Sequence, residues 1–174
     1  MQINTYSGGR FDPDDIKNSD FRIEDIAHAL SLQCRFAGHI PEFYSVAEHS
    51  VLVSYYSNDF LTGLLHDASE AYLMDIPTPV KRSKIMIGYS ILENDVMKEI
   101  FHRFNLDYPY NSDVHKAGQR VLRTEAEYFG LLDETWEVYK LKNIDHGIGP
   151  LKPEYAEKLF IKRYKEITNG SILG

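Results

Sequence analysis

This sequence predicts an all-α protein with a small N-terminal β-hairpin, on three observations. Apolar residues recur at helical spacing from Ile23 onward, and helix-capping signals stand at Ser45 and Asp59. Strand-like residues flank a turn signal only in the first eleven positions.

The elements follow in order. Gln2 to Tyr6 and Arg10-Phe11 flank Ser7-Gly8-Gly9, which predicts the hairpin. Ile23, Ile26, Ala27 and Leu30 share one stripe of a first helix. Ser45-Val46-Ala47-Glu48 reads as a capping box that starts the helix carrying His49 and Val51 to Val53. Asp59 caps a helix expected to run to Met74, where Pro77 and Pro79 forbid continuation. Ile87 to Phe104 predicts a longer helix and Ser112 to Leu132 another. Pro153 and Gly170 bracket the last, and Asn143 to Lys152 reads as a loop.

A chain of 174 residues with 43% hydrophobic and 26% charged residues predicts one globular domain, 1–174, and excludes disordered and collagen-like classes. The net charge of -7 gives no global support for binding a nucleic acid polymer or an anionic membrane, so an anionic ligand needs a local basic pocket. No apolar run approaches a membrane span, and the start lacks the regions of a signal peptide. With a single cysteine, Cys34, the expected location is cytoplasmic.

His66 and Asp67 are adjacent inside the apolar stretch Leu64 to Ala71. A carboxylate buried beside an imidazole is costly unless partnered, and a divalent cation is a partner that uses the lone pairs of both. A packed, hydrogen-bonded pair is the competing reading. On a continuous helix Glu70 lies about one turn after His66, so its carboxylate faces the same side, where a general base is needed. His49, on the preceding helix, is the third ligand if the two helices pack antiparallel.

These residues carry a resemblance. The segments Val46-Ala47-Glu48-His49-Ser50, His66-Asp67-Ala68-Ser69-Glu70 and Asp75-Ile76-Pro77-Thr78-Pro79-Val80-Lys81 closely resemble the HD-domain phosphohydrolases of the YfbR-like 5'-deoxynucleotidase type. The likeness extends to Cys34-Arg35-Phe36 and to Val121 through Ala126. The first twenty residues resemble a shorter, partly phage-borne branch. It implies an HD-domain helical bundle that holds a divalent ion (Mn, Co, Zn or Mg) on His49, His66 and Asp67. It also implies hydrolysis of the 5'-phosphate of deoxynucleoside monophosphates. Glu70 and Asp75 would be catalytic, handling the proton of the attacking water and the leaving-group oxygen. Arg35 would orient the phosphate and Phe36 would lie against the sugar or base. Asp75 to Thr78 would form a rigid loop after the helix, from which Ile76, Pro77 and Thr78 would contact the nucleotide, and Lys81 would belong to a basic funnel with Arg82 and Lys84. A homo-oligomer is expected. A deoxynucleoside triphosphate triphosphohydrolase is the alternative activity.

The sequence departs from the family at one point. Where the family carries a second aspartate ligand, this chain reads Lys116-Ala117-Gly118-Gln119. Glycine inside a helix costs about 1 kcal/mol relative to alanine, and Gly118 lies on the inward stripe with Val114 and Val121. Close helix packing, replacement by Asp113 or Glu125, and a nucleotide-binding module with impaired catalysis are all open readings of it.

Overall fold

The computed structural model describes residues 1–170. Its elements are β1 (Ile3–Asn4), β2 (Arg10–Phe11), α1 (Ile23–Ser31), α2 (Val46–Tyr56), α3 (Phe60–Leu65), α4 (Glu70–Leu73), α5 (Thr78–Lys81), α6 (Ile87–Arg103), α7 (Ser112–Tyr128) and α8 (Pro153–Gly170), with short 3₁₀ turns between them. The protein is therefore mostly helical with one antiparallel hairpin, in which Ile3 pairs with Phe11 and Asn4 with Arg10. Buried Asp25 on α1 fastens the hairpin tip, accepting from Thr5 Oγ1 (2.9 Å), Ser7 N–H (2.6 Å) and Ser7 Oγ (2.9 Å). Gly8 turns the chain there with φ at 85°, a conformation that side chains resist.

Helix α2 is the axis of the fold, packed against α1, α3, α7 and α8. Its start is fixed by the capping box: Ser45 Oγ accepts from Glu48 N–H (3.2 Å), and Glu48 Oε2 accepts from Ser45 N–H (2.9 Å). Glu48 Oε1 also accepts the N–H of Leu151 (2.8 Å), tying the loop before α8 to the same carboxylate. Val46, Ala47, His49, Ser50, Val51, Val53 and Ser54 are all buried, so α2 has neighbours on every side near its start.

Gly63 sets how closely α3 approaches α2. A Cβ built there would lie 2.3 Å from Ser57 Oγ, 3.0 Å from Ser54 Cα and 3.2 Å from the Val53 carbonyl oxygen. Two of those three atoms are backbone and cannot move aside cheaply, so only glycine fits.

Three expected elements differ. The helix from Asp59 to Met74 is broken: α3 ends at Leu65, residues 66–69 form a turn, and α4 begins at Glu70. The Gly63 carbonyl, which a continuous helix would offer to the Asp67 N–H, instead accepts from His66 Nδ1 at 2.8 Å. Backbone bonds to the third residue back, from Ala68, Glu70, Ala71 and Tyr72, tighten the segment in 3₁₀ fashion. The expected loop at Asp75 to Thr78 is shorter, because Thr78 opens α5 behind Pro77. Helix α7 stops at Tyr128 rather than Leu132. Gly130 adopts φ of 72°, while Leu131 N–H reaches Ala126 O and Gly130 N–H reaches Glu127 O, a Schellman cap.

Candidate metal centre

His49 from α2 and His66 and Asp67 from the turn after α3 converge. Each offers a ligand atom, and these atoms lie within 4.8 Å of one another. His66 Nε2 is 3.1 Å and His49 Nε2 is 3.7 Å from Asp67 Oδ2. The far side of each ring is already committed. His66 Nδ1 is 2.8 Å from the Gly63 carbonyl, which can only accept, so this nitrogen carries the proton. His49 Nδ1 is 2.8 Å from Glu125 Oε1 on α7.

Glu125 is completely buried and takes three donors, His49 Nδ1, Tyr44 OH (3.0 Å) and Arg35 (3.0 Å). Burial alone would raise its pKa, but Arg35, His49 and Tyr44 more than offset that and hold it at about 2. It is thus an ionised acceptor, which fixes the His49 proton on Nδ1. Burial, aided by the Arg35 charge, pushes the His49 pKa down despite Glu125 and favours the neutral ring. A neutral ring protonated at Nδ1 turns a lone pair at Nε2 toward Asp67.

Burial penalises the Asp67 carboxylate too, yet His66, His49 and Arg35 hold its pKa well below the usual range. The site therefore aims two imidazole nitrogens at an anionic oxygen. The second partner at each Nδ1 fixes the rings as metal sites require. The three donors fit a divalent ion.

The chain is 38% identical to "Uncharacterized protein YfdR" of Escherichia coli (strain K12) across 95% of each chain. It belongs to the YfdR family. It is also 40% identical to "Uncharacterized protein RCAP_rcc00048" of Rhodobacter capsulatus, over 70% of this chain and 69% of that protein. No family model matches the chain.

In this YfdR-family chain a cavity of about 240 Å³ opens on the Asp67 side of the cluster, lined by His66, Asp67, Ser69, Glu70, Lys81, Glu93, Asn94, Met97, Tyr108 and Tyr110. Glu70 and Lys81, two expected site residues, meet there: Lys81 Nζ lies 2.9 Å from Glu70 Oε1 and 2.7 Å from Glu93 Oε1. The second Glu70 oxygen, Oε2, is buried without a hydrogen-bond partner. Burial, with Asp67 and Asp75 nearby, raises the Glu70 pKa well above the carboxylate range, against the pull of Lys81. A larger depression of about 550 Å³ lies along α8 among residues of that helix and gathers none of this chemistry.

The other expected residues lie outside the cavity lining. Arg35 is buried, bonded to Glu125 and 3.8 Å from Asp75 Oδ2, so its guanidinium braces carboxylates behind the histidines. Phe36, half-buried with φ of 56°, packs on Phe129 and Trp136 with Arg35 over its ring. Ile76 and Pro77 are half-buried, Thr78 is exposed, and together they lead into the short helix that delivers Lys81. Arg82 pairs with Glu137, and Lys84 is exposed.

Sequence reasoning missed Gln33, whose side chain donates to the Glu70 carbonyl (2.9 Å) and accepts from Asp75 N–H (2.9 Å), clamping both ends of the segment that carries Glu70. It also missed Glu93, Asn94, Tyr108 and Tyr110. Nothing in their spacing marks them, because α6 and the segment after it reach the cavity only through tertiary packing.

Proposed function

We propose that this protein is a metal-dependent phosphohydrolase that removes the 5'-phosphate from deoxynucleoside monophosphates. The observation that carries the reading is the pair of histidines, each locked at Nδ1 and turned with Nε2 toward Asp67, beside a cavity lined by Glu70 and Lys81. A divalent ion on His49, His66 and Asp67 would supply Lewis-acid polarisation of a phosphoryl oxygen and make a water at the site more acidic.

The chain's own groups supply the rest. Glu70, which lines the cavity beside Asp67, would accept the proton of the attacking water. Lys81 bridges Glu70 and Glu93 and would turn to an entering phosphate. Tyr108, Tyr110 and Asn94 give the opposite wall aromatic and amide surface for a sugar or base. Arg35 and Asp75 act from behind, Arg35 by holding Glu125 against His49. The modest cavity favours a monophosphate over the bulkier triphosphate.

The test is turnover of a panel of deoxy- and ribonucleoside mono- and triphosphates with manganese, cobalt, zinc or magnesium. Release of inorganic phosphate from deoxynucleoside monophosphates supports the reading. Release of triphosphate establishes the other activity, and no turnover with any ion contradicts both.

A further inference from the structure

Gly118 sits in the interior of α7, where glycine costs about 1 kcal/mol relative to alanine. Packing does not require it. A Cβ built at Gly118 meets a single neighbour within 4 Å, the His66 Nε2 atom at 3.8 Å, an ordinary contact. The backbone does not require it either, since its φ is not in the left-handed region. Gly63 is the contrast, with backbone atoms at 3.0 and 3.2 Å from a built Cβ. Gly118 thus leaves space, and that space faces the ligand nitrogen of His66.

No other side chain fills the position. Among the described residues, His49, His66 and Asp67 form the group of metal-ligating side chains, with no fourth member. Asp113, at the start of α7, is committed to the N–H of Asn58 at 2.6 Å. Both Glu125 oxygens are engaged, Oε1 by His49 and Tyr44 and Oε2 by Arg35, on the far side of the His49 ring.

We propose that Gly118 keeps a coordination position open beside His66 and that an exogenous oxyanion, the phosphoryl group of the substrate, is the donor that takes it. This rests on the metal-dependent reading above. Glycine at 118 then favours the anion, because a side-chain donor there would compete with it for the ion.

Inorganic phosphate is the probe, with the protein loaded with cobalt(II) and followed by visible absorption and by calorimetry. In the wild type and in Gly118→Ala, phosphate should bind only when cobalt is present and should shift the cobalt absorption. Gly118→Asp and Gly118→Asn both place an oxygen donor in the space, one charged and one neutral. Each should retain cobalt, weaken phosphate binding by about tenfold or more and lose the absorption shift. The neutral variant separates competition for the ion from charge repulsion. Cobalt bound by all four proteins, with equal phosphate affinity and equal shifts, overturns the open position and leaves the metal site standing. A wild type that takes up no cobalt overturns the metal-dependent reading itself, and this inference with it.

Discussion

Glu125 Oε1 on α7 and His49 Nδ1 on α2 lie 2.8 Å apart in a contact with almost no solvent access. The carboxylate that orients the imidazole is itself held by Arg35 and Tyr44, so the ligand face of His49 is fixed through Glu125, 76 residues away.

Glu125→Gln should therefore damage both the site and the fold. It removes the nearer, fully buried counter-charge of Arg35 and leaves only Asp75 at 3.8 Å, costing about 3 kcal/mol or more. It also loosens His49, lowering metal affinity by about tenfold to a hundredfold. Denaturant unfolding and metal calorimetry read the two effects, and a variant unchanged in both would remove Glu125 from the account.

The two helix glycines should respond oppositely to alanine. Gly63→Ala drives a methyl against the Val53 and Ser54 backbone and should destabilise the protein by about 2 kcal/mol or more. Gly118→Ala has room and should stabilise it by about 1 kcal/mol. Unfolding midpoints check both, and a destabilised Gly118→Ala would restore close packing as the reason for that glycine.

Glu70→Gln should keep the metal while losing rate by about a hundredfold or more, the usual scale of general acid-base assistance. Comparable loss of metal would make Glu70 a ligand instead. Single-turnover kinetics at saturating metal, beside metal calorimetry, distinguishes the two.

Local signals in the sequence were legible. The Ser45 and Glu48 box and the Asp59 cap, which accepts from Thr62 N–H at 3.1 Å, appear where residue type and spacing put them, because a cap needs only its own turn. The break at His66 was not legible. No glycine or proline marks it, and it arises when the His66 ring takes the Gly63 carbonyl from the backbone. The Glu125 hub and the Gln33 clamp were equally hidden, since their partners lie 76, 81 and 90 residues away for Glu125 and 37 and 42 for Gln33. Gly118 was visible as an anomaly, but spacing cannot separate a glycine that admits a neighbouring backbone from one that leaves space.

Calorimetric titration of the metal-free protein with manganese, cobalt and zinc, repeated for His66→Ala and Asp67→Ala, tests whether His49, His66 and Asp67 hold an ion. Loss of a ligand from a site with three protein donors should abolish binding. One ion per chain is expected in the wild type and none retained stoichiometrically by either variant. A wild type that binds no ion, or variants that bind as the wild type does, would contradict it.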